Sequence, residues 1–159
     1  MTMNFTRPLR YLTALCLAAL AGSASANCLI TRFTSSGDVM QVFKEHDGRY
    51  DFADYDVVCN KLRKANAQII ISGSYGVLSN RSFGWASISI ADKADNHFVV
   101  TDYGKRSTSM HDFASDDIAR KQLWIAINYA LNTWDGEGLD QAITTLNQAR
   151  QARRKAIAK

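Results

Sequence analysis

Three segments in the middle of the chain have apolar and polar patterns that predict β-strands. The first opens with a β-branched run at residues 69–71, the second alternates apolar and polar residues, and the third is rich in β-forming residues. The segments are residues 68–78, 85–91 and 97–103. The apolar positions of residues 85–91 are Ala86, Ile88 and Ile90. The intervening positions are Trp85, Ser87 and Ser89. Because the intervening positions are mostly polar, we expect an antiparallel sheet that is covered on one side.

Apolar residues recur at helical spacing before and after these strands. The stripe in residues 51–67 consists of Tyr55, Val58, Cys59, Leu62 and Ala65. Two further helices are predicted over residues 115–134 and 139–157, and Ser115 suits the N-cap of the first. The order is therefore α-β-β-β-α-α. It predicts an α+β fold in which helices pack on one face of a three-stranded antiparallel meander.

Glycine and polar residues mark the predicted connections. Residues 79–82 and 92–96 are expected to be turns, and residues 105–115 a polar connection to the next helix. Gly73 and Gly76 lie inside the first strand segment, where they indicate a bulge or a close backbone contact.

The first 26 residues have the pattern of a secretory signal peptide. Arg7 and Arg10 precede an apolar run of about 12 residues, whereas a membrane span needs about 20. Ala24 and Ala26 occupy the small positions of a cleavage site. We therefore predict an exported chain, periplasmic or secreted, with residues 27–159 as one globular domain without a transmembrane segment. The alternatives are a lipoprotein and an uncleaved anchor.

Cys28 and Cys59 are the two cysteines of the predicted mature chain. In an oxidising compartment they can form only one intramolecular disulfide. The bridge would close a loop of about 30 residues and stabilise the fold by about 3–4 kcal/mol. The alternative is two reduced, buried thiols. Neither cysteine lies near a histidine in the sequence, so we expect no metal site.

No catalytic or cofactor-binding motif is present. The sequence lacks a nucleophile elbow, a phosphate loop and a dinucleotide fingerprint. The catalytic candidates are the three histidines, His46, His97 and His111. Two of them precede an aspartate and could act as general bases in an envelope hydrolase. The spacing of the three histidines matches no metal-binding motif. Because no catalytic motif is present, we expect a binding protein without a cofactor rather than an enzyme.

Trp85 is the main candidate for contact with a partner, because the alternation places it on the polar face. The other candidates are Arg81, Phe83, Tyr103, Lys105 and Arg106, near neighbouring strand ends. Aromatic residues with arginine are typical of protein–protein contacts. This favours a protein-binding module, such as an inhibitor, an immunity-type protein or an envelope-assembly accessory. The alternative is that Trp85 packs beneath a terminal helix.

Residues 147–159 form a basic C-terminal segment that contains no acid. Its candidate anion-binding residues are Arg150, Arg153, Arg154 and Lys155. They could bind an anionic envelope surface. The alternative is a solvated helix end, where cations interact favourably with the helix dipole. We do not expect nucleic acid as the partner of an exported chain.

Overall fold

The computed structural model describes residues 29–95, 99–134 and 136–158. The predicted signal peptide, Cys28 and His97 lie outside these ranges. The elements are β1 (Arg32–Phe33), α1 (Gly37–Glu45), α2 (Tyr55–Lys64), β2 (Ala67–Leu78), β3 (Arg81–Asp92), β4 (Val99–His111), α3 (Asp116–Asn132) and α4 (Gly136–Ile157).

The strands form one sheet in the order β1-β2-β3-β4. Strands β2, β3 and β4 pair antiparallel, and this confirms the predicted meander and the α+β class. The strand count and the element order need correction. β1 pairs parallel to β2 at Arg32 and Phe33, and α1 precedes α2. A strand of two residues is too short to show an alternation, so the sequence pattern could not predict it.

The helices pack on the face of the sheet that the alternation predicted to be apolar. Helix α3 lies across β2, β3 and β4, whereas α4 packs against β4 and β3. The strand side chains beneath the helices are almost completely buried: Ile69, Ile71, Ala86, Ile88 and Ile90. The alternating positions Trp85, Ser87 and Ser89 keep part of their surface exposed. This second surface, with Leu78, Phe83, Arg106, Thr108 and Met110, is called the open face below.

Helix α3 approaches β3 most closely at Gly84. A Cβ atom there would overlap the backbone N and Cα of Leu123 and lie 2.5 Å from the carbonyl carbon of Gln122. Two positions before Gly84, the buried Ser82 hydroxyl donates to the carbonyl of Phe113 (2.7 Å) and accepts the N–H of Ser115 (2.9 Å). The beginning of α3 is thus fixed to β3 by a hydrogen bond and by backbone contact.

Gly73 also makes the close contact that its position predicted. A Cβ atom at residue 73 would lie 2.6 Å from the carbonyl oxygen of Trp85 and 2.9 Å from Cδ1 of Leu123. Its pairing with Ala86 is regular, so no bulge occurs at this position.

Strand β4 is longer than the predicted segment and includes residues 105–111, which were expected to form a polar connection. Ile88 pairs with Lys105 but Ile90 pairs with Val100, so β4 bulges between these two pairs. β4 is the last strand of the sheet and is mostly polar on both faces here, which removes the alternation that identifies a half-buried strand.

Within the described ranges, no helix has the length and apolar composition of a membrane-spanning segment.

Cys59 is buried, with 1% of its surface exposed, and it is disulfide-bonded. It is the sole cysteine in the described ranges, because Cys16 and Cys28 both lie outside them. The pairing of Cys59 with Cys28 therefore stays a prediction.

Reduction of the mature protein is expected to lower its free energy of unfolding by about 2–4 kcal/mol. Urea denaturation with and without a reducing agent measures this difference. Cys28→Ala should give a similar loss and remove the response to the reducing agent. A urea midpoint that is the same under both conditions would contradict the Cys28–Cys59 pairing.

Candidate functional site

The central residue of the open face is Trp85. It pairs with Ser74 on β2 and Thr108 on β4, so hydroxyl side chains flank the indole ring on both neighbouring strands. Trp85 is 40% exposed, which is a large accessible area for an aromatic side chain. The alternation of residues 85–91 therefore placed Trp85 on the correct face of the sheet.

The open face becomes more apolar toward the β2–β3 turn. Met110 is 59% exposed and Leu78 is 70% exposed. With Phe83 between them, they line a shallow depression of about 410 Å³ that Ser79, Arg81 and Thr108 complete. Gly76 pairs with Phe83, and a Cβ atom at residue 76 would lie 3.2 Å from the phenyl ring. The absence of a side chain at residue 76 thus leaves room for this ring.

The strands contribute positive charge to the open face, but the carboxylate of Asp38 in α1 also lies at this face, where it accepts the hydroxyl of Ser74 at 2.6 Å. Arg106 pairs with Ser87 and takes part in no ion pair within the described ranges. Arg81 forms an exposed ion pair with Asp112, at 2.9 Å. No residue of β2 is acidic, and neither are residues 81–91 or 105–111. A partner with carboxylates would therefore meet little electrostatic repulsion from these strands.

Two of the predicted partner-binding residues lie away from the open face. Tyr103 and Lys105 line a separate polar depression of about 290 Å³ beside the first turn of α4, together with Asp102, Gly104, Glu137, Gly138 and Gln141. Lys105 is paired with the buried Ile88, on the helix-covered face. Of the predicted set of six, Arg81, Phe83, Trp85 and Arg106 share the open face, whereas Tyr103 and Lys105 lie elsewhere, and partner binding by these residues stays a prediction.

Leu78 and Met110 belong to the open face but were not among the sequence candidates. Leu78 ends the first predicted strand, and Met110 lies in the stretch expected to be a connection. Pairing of Met110 with Phe83 brings it beside the aromatic cluster. Because residues 105–111 are mostly polar on both faces, the sequence carries no alternation that could have identified Met110.

The histidines in the described ranges lie in different surroundings. The ring of His46 stacks on Trp124, with centroids 4.0 Å apart and planes inclined by 6°. Nδ1 of His111 accepts the N–H of Phe113 at 3.2 Å. His97 lies outside the described ranges. Within those ranges no group of three or more histidine, cysteine or acidic residues is arranged to bind a metal ion.

Arg150, predicted to bind anions, instead uses all five of its N–H groups inside the protein. It donates to both carboxylate oxygens of Asp92, at 2.8 and 2.9 Å. It also donates to the carbonyls of Ala65 (2.7 Å) and Asn66 (2.9 Å), and to the side chain of Asn147 (3.0 Å). An external anion would have to displace these acceptors, and anion binding by Arg150 stays a prediction.

The contact with Arg150 changes the acidity of Asp92. The hydrogen bonds that Arg150 donates hold the pKa of Asp92 below its ordinary value, although partial burial acts in the opposite direction. The backbone N–H of Ala94 also donates to this carboxylate and lowers the pKa further. The hydrogen bond to Asp92 likewise raises the pKa of Arg150. Farther along α4, Arg153 pairs with Asp95, whereas Arg154 and Lys155 are exposed to solvent.

No protein-family model matches this chain, and neither does any curated protein. Among solved structures, the chain is similar to a protein described as a "putative lipoprotein" from Caulobacter crescentus. The sequence identity is 12%, the TM-score is 0.26, and the alignment covers 78% of this chain and 91% of the other. At this TM-score the similarity carries no argument about fold or function.

Proposed function

We propose that this chain is an exported protein that binds another protein through the open face of its sheet, with Trp85 near the centre of the contact. The observation that carries the proposal is the exposed cluster of Trp85, Phe83, Met110 and Leu78 on one strand face. Large aromatic side chains are enriched where a few residues supply most of the binding energy of an interface.

The composition of the open face favours a partner surface that is both apolar and acidic. The depression near the β2–β3 turn offers a site for an apolar side chain, and Arg106 can pair with a carboxylate at its side. The Thr108 hydroxyl beside Trp85 can bond to a backbone group of the partner, whereas the Ser74 hydroxyl already donates to Asp38 at 2.6 Å. This arrangement combines an apolar centre with a polar rim, as protein interfaces do.

Export from the cytosol is supported by the signal-peptide pattern and by the disulfide bond of Cys59, because disulfides persist mainly in oxidising compartments. Within this proposal the chain is an inhibitor, an immunity-type protein or an accessory of an envelope assembly. These roles share one requirement, a specific contact with a second protein.

Trp85→Ala is expected to weaken the complex about 30-fold or more, since truncation of an aromatic residue at a contact centre removes about 2 kcal/mol or more. The fold should survive, because Trp85 lies on the open face and not under a helix. The partner is first captured from an envelope fraction with the mature protein and identified. The dissociation constant of the purified pair is then measured by calorimetry.

Tyr129→Ala is the matched control, because Tyr129 is an aromatic residue of α3 that is 61% exposed. It should leave the dissociation constant unchanged. Equal affinity of the Trp85→Ala variant and the wild type would rule out the open face as the contact. Loss of the folded state in Trp85→Ala would show that the indole supports the fold instead.

A further inference from the structure

The hydrogen bonds of Arg150 bring three separate segments of the chain together. They join α4 to the carbonyls that follow α2 and to Asp92 at the end of β3. The N–H of Lys93 donates to the carbonyl of Asn66 at 3.1 Å, and Lys93 lines the same cavity of about 200 Å³ as Arg63. The end of α2, the end of β3 and the second half of α4 therefore form one continuous surface.

Five exposed cations lie on these three segments: Arg63, Lys64, Lys93, Arg154 and Lys155. None of them takes part in an ion pair within the described ranges. The two acids of these segments, Asp92 and Asp95, are paired with Arg150 and Arg153. We call this surface, which comprises those nine residues, the cationic end.

Charge is strongly segregated between the cationic end and the rest of the molecule. The cationic end has seven cations and two acids, a net charge of +5. The other residues of the predicted mature chain, 27–159, carry a net charge of −3. A surface of this kind attracts anions at long range and is sensitive to ionic strength.

We propose that the cationic end binds the phosphate headgroups of an anionic membrane surface and holds the chain there. Beyond Arg150, every described residue of α4 is exposed, and Ile157 is 76% exposed. This half-helix can therefore lie against a bilayer with its cations among the headgroups and its isoleucine in the interfacial region. The proposal does not depend on the protein partner of the open face.

The chemistry of the cationic end favours lipid phosphate over nucleic acid. The neighbouring side chains of α2 and α4 are uncharged amides and alanines, at Asn60, Asn147, Gln148, Ala149, Gln151 and Ala152. None of these residues offers an aromatic ring, and nonspecific binding of single strands relies on bases that stack on aromatic side chains. The signal-peptide pattern also predicts that the chain is transported across a membrane.

Sedimentation of the mature protein with vesicles tests the proposal. We expect binding to vesicles that contain phosphatidylglycerol, weakening with added salt, and none to pure phosphatidylcholine. Each Lys or Arg near an anionic bilayer contributes about fivefold in affinity. The triple variant Lys93→Gln, Arg154→Gln, Lys155→Gln should therefore bind about a hundredfold more weakly. Its fold should be unaffected, since all three side chains are exposed and unpaired in the described ranges.

The matched control changes the net charge by the same amount elsewhere, through Lys44→Gln, Arg49→Gln and Lys121→Gln, which are also exposed. It should retain most of the vesicle affinity. An equal loss in both triple variants, or equal binding to neutral vesicles, would overturn the assignment. Binding to single-stranded DNA but not to vesicles would overturn it in favour of nucleic acid. The Trp85→Ala variant should bind vesicles as the wild type does. Failure of the vesicle-binding proposal can therefore be distinguished from failure of the proposed protein contact on the open face.

Discussion

Gly84→Ala is expected to unfold the protein or to remove most of its stability. The added Cβ has no rotatable bond, and it would overlap the backbone of Leu123 in α3. This overlap can be removed only if α3 moves away from the sheet. Such a movement would expose Leu123, Ala126 and Ile127 of this helix, which are fully buried. We expect a loss of about 4 kcal/mol or more, beyond the usual cost of overpacking, because backbone and not a side chain must move.

Urea denaturation monitored by circular dichroism measures the effect of Gly84→Ala. Two other glycines provide graded controls. At Gly37 a Cβ atom would meet no atom within 4 Å, so Gly37→Ala should be neutral or slightly stabilising in its helix. At Gly76 the nearest atoms belong to the Phe83 ring at 3.2 Å, which can shift, and the loss should be intermediate. Similar urea midpoints for the Gly84 and Gly37 variants would contradict the close packing of α3 on β3.

Arg150→Lys is expected to lower the free energy of unfolding by about 2 kcal/mol, because lysine keeps the positive charge but loses hydrogen bonds to Asp92 and to backbone carbonyls. An ammonium group has three donors in a compact arrangement and cannot reproduce five planar N–H groups. Asp92 and the carbonyls of Ala65 and Asn66 would lose partners. Arg154→Lys is the control, since Arg154 is on the same helix and exposed, and it should be neutral.

The effect of Arg150→Lys should depend on pH in a direction that the structure fixes. Arg150 holds the pKa of Asp92 in the folded protein below the unfolded value of about 3.9. The carboxylate contact therefore contributes fully above about pH 5 and is lost as the pH falls through the lowered folded pKa. The stability difference between wild type and variant should be largest near neutral pH and shrink in acid. A difference that stays constant down to pH 2 would show that the contact with Asp92 contributes little.

The central strands and the face of Trp85 could be predicted from the sequence because both depend on a local rule. Ala86, Ile88 and Ile90 contact the helices, so their alternation with polar positions directly reflects burial. The second half of β4 could not be predicted in this way, since an edge strand with polar residues on both faces shows no alternation.

Tyr103 and Lys105 lie away from Trp85 for two different physical reasons. Lys105 directly precedes Arg106, so regular alternation places it on the helix-covered face. Tyr103 lies in the bulge of β4, where residues break the rule of alternate faces. The role of Arg150 was missed for another reason. Its partners Asp92 and Ala65 are 58 and 85 residues away in the sequence, so the local excess of basic residues suggested an external anion instead.

The contacts of Arg150 also constrain when this molecule can finish folding. Its acceptors come from the end of α2 and the end of β3, both of which precede α4 in the chain. A ribosome or a secretion channel that delivers the amino terminus first supplies the arginine only after all of these acceptors. Until then the carboxylate of Asp92 must remain hydrated, and the emerging polypeptide stays open to proteases or chaperones near that point.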